Sequence, residues 1–152
     1  MSAKGGREAV LYYKVGGLDG AGAWTELSIV RDCGLDLQKG DADVTVRGNA
    51  GFKQYVGTLK DVPLEFEVVY DADDPGYQAL QDSYIDDLII GLAILDGPWA
   101  SANGLLADFI VTAMKRNEPL DGAITSNVTA KLAYSSNVPQ WMDAGATATA
   151  TP

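Results

Sequence analysis

The strongest pattern in the sequence is the strict alternation of side chains along residues 62–70. One set of positions is apolar and the other mostly polar: Leu64, Phe66, Val68 and Tyr70 against Pro63, Glu65, Glu67 and Val69. A period of two places successive side chains on opposite faces of a strand, so the segment predicts a β-strand with one buried face. Such a strand requires partners in a sheet.

Further strands are predicted along most of the chain. Residues 8–15, 24–37, 105–114 and 123–134 are rich in β-forming side chains or alternate in polarity, with a register shift near Val30 that predicts a bulge or break. The continuous apolar run at residues 88–95 predicts a strand buried on both faces. Residues 38–61 are polar and contain several glycines, which is typical of an extended hairpin or long loop projecting from the body.

A single helix interrupts the strands. Tyr77, Leu80, Tyr84 and Leu88 are spaced as one helical face, and Asp73, Asp74 and Pro75 precede it. Aspartate suits the N-cap and proline the first turn, so we expect a helix at about 74–86. The predicted fold class is mainly β, a β-sandwich or squashed barrel of two packed antiparallel sheets with this one α-helix.

The 152 residues suffice for one domain. We expect an N-terminal arm at residues 1–7, a β domain at 8–134 with the projecting loop at 38–61, and a C-terminal arm or disordered tail at 135–152. The start of the chain lacks the apolar core of a signal peptide, and no apolar run reaches the length of a membrane span. We therefore expect a cytosolic site of synthesis and no membrane anchor.

Composition excludes several kinds of chemistry. The chain has no His, which removes His-dependent catalysis and His-containing metal sites, and its one cysteine, Cys33, is expected to be buried and inert. The 11 Lys and Arg residues against 21 Asp and Glu residues give a formal charge of −10, which disfavours binding to DNA phosphates. No phosphate-binding glycine loop is present either. We predict a protein without catalytic activity or cofactor.

Two features of the sequence are candidates for binding sites, one for calcium and one for a sugar. The acids that begin at Asp71 partly match a calcium loop, but Pro75 occupies its fifth position and a strand precedes it, so capping of the helix explains them better. Trp24, Trp99 and Trp141 are candidates for a sugar-stacking platform. The alternative function is therefore a monomeric carbohydrate-binding β-sandwich module.

Four short motifs, in this order, resemble those of a known family. They are Trp24 leading to Val30-Arg31-Asp32, then Asp43-x-Thr45-x-Arg47-Gly48-Asn49, Leu59-Lys60-Asp61, and Asp71-x-Asp73-Asp74 at the start of the helix. The chain thereby resembles the major tail tube proteins of long-tailed, siphovirus-type bacteriophages, over roughly residues 8–134. That family is related in fold to the tube proteins of type VI secretion systems.

The resemblance implies a structural protein of the virion tail, synthesised in the bacterial host cytoplasm. Six subunits would form a ring, and rings would stack into a hollow tube with an acidic lumen through which genomic DNA passes without specific binding. The implied partners are further copies of the chain, a tail-tip initiator, a tape-measure protein and a tail terminator protein. The resemblance also implies that the projecting loop contacts the adjacent ring, through Asp41, Asp43, Thr45, Arg47, Asn49, Phe52, Lys53 and Tyr55.

Overall fold

The computed structural model describes residues 9–99, 102–143 and 146–149. Within them the chain forms eleven strands and one α-helix. In chain order these are β1 (Val10–Val15), β2 (Thr25–Glu26), β3 (Val30–Leu35), β4 (Gln38–Asp43), β5 (Tyr55–Asp61), β6 (Leu64–Val69), α1 (Pro75–Asp86), β7 (Ile90–Leu95), β8 (Gly104–Asn117), β9 (Thr125–Leu132), β10 (Gln140–Asp143) and β11 (Ala146–Thr149).

Nine of the strands belong to one antiparallel sheet with the order β2-β1-β7-β8-β9-β6-β3, and β10 pairs with both β8 and β11. The 14-residue strand β8 joins two halves of this sheet. Its residues 104–109 pair with β7, and its residues 109–117 pair with β9. The end strands β2 and β3 are connected by residues 27–29 alone, so the sheet curls back towards its own start.

The curled sheet does not close into a barrel within the described residues. A second sheet consists of the β4–β5 hairpin, which spans most of residues 38–61. The prediction of a mainly β fold with antiparallel sheets and one helix is therefore confirmed. The two sheets are unequal, because nine strands build the body and two form the hairpin.

The two faces of β7 and β8 contact different hydrophobic clusters. On one face the main core contains Leu64, Phe66 and Val68 of β6 together with side chains of β1, β7, β8, β9 and α1. On the other face Ala93 and Leu95 belong to a second cluster with Leu106 and Met142. Strand β7 is thus covered on both sides, as its continuous apolar run predicts.

The helix packs its Tyr77 and Leu80 side chains into the main core. The Asp74 carboxylate caps it by accepting hydrogen bonds from the N–H groups of Gly76 (2.8 Å) and Tyr77 (3.3 Å). Near its other end, the buried Ser83 hydroxyl donates to the Leu88 carbonyl (2.7 Å) and accepts from the Val111 N–H (3.2 Å), which ties α1 to β8. The described residues contain no helix with the length and apolarity needed to cross a membrane.

Part of the segment at residues 135–152, for which an arm or a disordered tail is expected, forms strands in the structure. Strand β10 pairs with β8, and Met142 is completely buried in the second cluster. Proline and the alanine-threonine repeat dominate the composition of this segment. The composition therefore does not indicate that Met142 is buried in the second cluster. The expected N-terminal arm at residues 1–7 lies outside the described residues.

Replacing Met142 with alanine should destabilise the fold by about 2–5 kcal/mol, because the change leaves a cavity in the second cluster. The neighbouring Trp141, which is 41% exposed, provides the control, since Trp141→Ala should cost much less. Urea unfolding of both variants measures the difference. Equal small effects would mean that β10 is not part of the core.

Candidate assembly surfaces

The β4–β5 hairpin continues beyond its paired strands through one backbone hydrogen bond and further bonds to side chains. The Val44 N–H donates to the Gln54 carbonyl (2.9 Å), and the Gln54 N–H donates to the Thr45 hydroxyl (2.9 Å). The Thr45 N–H donates to the Asp43 carboxylate at 2.9 Å. Hydrogen bonding from the Thr45 side chain, and second from the Thr45 N–H, favours the ionised carboxylate and holds the pKa of Asp43 below its ordinary value.

We define the hairpin tip as residues 45–53. It contains a 3-10 turn at Arg47–Asn49, followed by Ala50 and Gly51 with φ of 54° and 85°. Two successive left-handed residues reverse the chain tightly, and glycine adopts this conformation without steric cost. Phe52 follows the reversal and is 73% exposed.

The hairpin carries much apolar surface that the rest of the described chain does not cover. Every residue of β5 is exposed, and among the described elements β4 and β5 make extended contacts only with each other. The exposed apolar side chains of this region are Leu37, Val44, Val46, Phe52, Tyr55, Val56 and Leu59. An isolated two-stranded hairpin is marginally stable in water, and contiguous apolar patches on a surface mark interaction sites.

The structure brings the predicted loop residues together on this one hairpin. The side chains of Asp41, Asp43, Thr45, Arg47, Phe52, Lys53 and Tyr55 are all exposed, and Asn49 ends the 3-10 turn. Asp73, Asp74 and Pro75 lie elsewhere, at the start of α1. Val56 and Leu59 were not predicted from the sequence as contact residues. Their usable signal was that they are apolar in an otherwise polar projecting segment.

The outer face of the β3–β6 half of the sheet is polar. Asp32 pairs with Glu67 and Gly34 with Glu65, so these carboxylates lie on the side opposite to the core residue Phe66. The Arg31 guanidinium lies 3.8 Å from the Glu67 carboxylate. Farther across the same half, β8 and β9 expose Lys115 and Lys131, so carboxylates are concentrated towards the β3 edge.

Strand β3 has one free edge, since within the described residues it pairs only with β6. A groove of about 1170 Å³ separates this strand from β1 and β2 at the open end of the sheet. Its lining includes the backbone edge of β3 and apolar side chains of both sheet halves, among them Leu11, Val30 and Phe66. An unpaired edge is available to a strand from another chain.

The prediction that Cys33 is buried was wrong, because the residue is exposed on this edge strand. It shares a face with Phe66 and borders the groove. Local removal of water disfavours the thiolate and raises the pKa of Cys33 to about 11. The side chain is thus accessible but largely protonated at neutral pH.

The tryptophans do not form a shared platform. The rings of Trp24 and Trp99 lie 5.5 Å apart, and Tyr12 meets Trp99 edge-on at 5.3 Å, where all three pack against the second cluster. Trp141 and the buried Met142 are consecutive in β10 and point to opposite faces. The described residues also contain no grouping of three or more acidic or thiol side chains suited to a metal ion.

Comparison with solved structures identifies the fold. A chain from the tail of an empty gene transfer agent particle with C6 symmetry has a TM-score of 0.69 at 14% identity, covering 88% of this chain and 96% of that chain. A chain of the native gene transfer agent virion has a TM-score of 0.69 at 10% identity, covering 98% and 100%. The chain has a tail-tube fold. A subunit of the SPP1 tail tube agrees, with a TM-score of 0.67 at 12% identity over 86% of this chain and 76% of that chain.

No protein-family model matches the sequence, and no curated protein sequence matches it. The tail-tube fold is therefore evident from structure at identities of 10–14%. The solved tail-tube structures do not favour the alternative of a carbohydrate-binding module.

The alkylation rate of Cys33 by iodoacetamide should rise about tenfold per pH unit from pH 8 to pH 10, because only the thiolate reacts and its pKa is about 11. The same thiol in urea-unfolded protein should level off near its ordinary pKa of about 8.5. Mass spectrometry of the labelled protein measures both rates. A plateau below pH 9.5 in the native protein would contradict the environment described for this residue.

Proposed function

We propose that this protein is a structural subunit of a phage-type tail tube, in which six copies form a ring and rings stack into a hollow tube. The observation that carries the proposal is an exposed apolar hairpin projecting from a tail-tube fold. The C6 symmetry of a gene transfer agent tail with the same fold supports the ring of six. The role is structural, and the protein is not an enzyme.

The hairpin is the proposed contact between adjacent rings. An extended strand pair advances about 3.3 Å per residue, so the tip lies roughly 20 to 25 Å beyond Gln38. That reach suits contact with another subunit, and burial of the hairpin's apolar side chains there would stabilise the stack. Asp41, Asp43, Thr45, Arg47, Asn49, Phe52, Lys53 and Tyr55 are the proposed contact residues.

The free edge of β3 is the proposed site of ring closure. Edge strands expose unpaired N–H and C=O groups. A heterologous contact repeated around a closed ring would pair this edge of every subunit with a neighbouring subunit. The β3–β6 half would then continue from subunit to subunit and line the bore with its polar outer face. Asp32, Glu65 and Glu67 are the proposed lumen carboxylates, which would repel DNA phosphates during passage.

This function places the protein in the virion tail, after synthesis in the host cytoplasm. Its proposed partners are further copies of itself, a tail-tip initiator, a tape-measure protein and a tail terminator protein. Residues 1–7 and the end of the 135–152 segment are the proposed arms. The tube function requires no cofactor, since assembly rests on apolar burial and strand pairing.

Arg47→Glu should leave the monomer folded and raise the protein concentration needed for assembly about tenfold, because the exposed Arg47 lies at the tip of the contacting hairpin. Lys131→Glu is the control, since it makes the same change of charge on the sheet face. Sedimentation velocity over a concentration series measures both. Normal assembly of the Arg47 variant would contradict the role assigned to the hairpin tip.

Glu65→Lys combined with Glu67→Lys should make assembled tubes retain DNA at low salt, because these changes reverse two charges per subunit on the proposed lumen face. The retention should fall steeply as salt is added. Glu118→Lys, outside that face on the β8–β9 connection, is the control. Equal DNA retention by tubes of both variants would show that the β3–β6 face does not line the bore.

A further inference from the structure

A small pocket lies along one side of α1, over residues 75–83, where the end of β1 and the segment that follows the helix, residues 88–90, meet it. We call it the helix-end pocket, and its lining includes Val15, Ala79, Asp82, Leu88, Ile89 and Ile90. Val15 is 61% exposed and Leu88 is 51% exposed. The pocket thus offers apolar surface that no other part of the described chain covers.

The size of the pocket suits one aromatic ring. Its volume is about 170 Å³, and an apolar cavity of about 150 Å³ holds a benzene molecule. Larger organic ligands require cavities of at least about 300 Å³. The groove beside β3, at about 1170 Å³, is far too large for a single side chain to fill.

One carboxylate lines the pocket, and two more lie at the C-terminal end of the helix, where the helix dipole disfavours negative charge. Asp82 borders the pocket, and Asp86 and Asp87 end the helix. The C-terminus of a helix carries partial negative charge and favours cations, yet the last turn of α1 contains no basic residue. Among the ion pairs formed by described residues, none involves these three carboxylates.

The hairpin tip has the complementary chemistry. Phe52 presents an aromatic ring that is 73% exposed, Lys53 follows it directly, and Arg47 lies five residues before it in the same hairpin tip. An aromatic side chain beside a positive charge matches an apolar pocket with a carboxylate in its lining. Phe52 does not fill the pocket of its own subunit, since the hairpin makes no extended contact with α1.

We propose that the helix-end pocket of one subunit receives Phe52 from the hairpin tip of a second copy of the chain. Lys53 and Arg47 of the incoming tip then neutralise Asp82 and Asp86 beside the pocket. This inference rests on the proposed tube function and adds to it the surface on which the hairpin docks. It makes the contact heterologous, because the tip and the pocket are different parts of the same chain.

Intermolecular cysteine cross-linking tests the contact directly. In a Cys33→Ser background, Phe52→Cys together with Leu88→Cys should give a ladder of disulfide-linked oligomers on a non-reducing gel. Because Phe52→Cys removes the proposed anchor, the protein is oxidised at a concentration at which sedimentation shows that this variant has assembled. Phe52→Cys with Leu120→Cys is the matched control, because Leu120 is fully exposed on the β8–β9 connection and remote from the pocket in sequence. Both altered pairs lie on the surface, and circular dichroism verifies that each variant folds.

A charge exchange provides the second readout. Lys53→Asp and Asp82→Lys should each raise the concentration needed for assembly about tenfold, and the two together should restore it towards the original value. A ladder specific to positions 52 and 88, with this restoration, establishes the contact. Tubes that form without the ladder, or that give it equally with position 120, overturn the docking site and leave the tube function intact. An unaltered protein that remains monomeric even with tail-tip components overturns both.

Discussion

The β4–β5 hairpin exposes apolar surface and does not pack on the rest of the described chain. This exposed surface is the constraint that best explains the other surface features of the molecule. Burial of side chains such as Phe52 and Leu59 away from water lowers the free energy, and the described part of the chain provides no surface on which the hairpin packs. A monomer in isolation therefore retains an unsatisfied driving force. The proposed assembly with other copies would bury this surface, and it would also pair the edge of β3 that is unpaired within the described residues.

Two hydrophobic clusters, one on each face of β7, stabilise the body of the fold. The hairpin and the edge of β3 can therefore remain exposed without loss of the fold. The main core holds the helix and both halves of the curled sheet, and the second cluster covers the opposite face of β7. Asp108 strengthens this second side, because its buried carboxylate accepts hydrogen bonds from the Leu18 N–H (2.6 Å) and the Ser135 hydroxyl (2.6 Å). Distant parts of the chain are thus fixed to β8, and the assembly surfaces project from a well-packed support.

Local patterns predicted the elements that depend on local chemistry. Alternation gave the β6 strand, the apolar run gave β7 with two covered faces, and Asp74 with Pro75 located the start of α1. The irregularity near Val30 also exists, as a register shift between Val30 and Asp32. In each case the information lies within a few neighbouring residues.

Features that depend on long-range packing were not predictable in this way. Met142 is buried because β10 happens to pair with residues 104–106 of β8, far away in sequence. Cys33 is exposed because β3 ends the sheet, and no pattern in its own segment reveals which strand will be last. The helix-end pocket combines β1, α1 and β7, so its apolar and acidic residues have no shared sequence signature. The residues of the β4–β5 hairpin could be grouped from the sequence, since they all lie in one contiguous segment.

Electron microscopy of the purified protein over a concentration series tests the central claim most directly. We expect hollow tubes whose cross-section has sixfold symmetry, because the proposal has six copies closing a ring through the edge of β3 and rings stacking through the hairpin. Particles with the dimensions of a monomer at every concentration, also in the presence of tail-tip components, would contradict it.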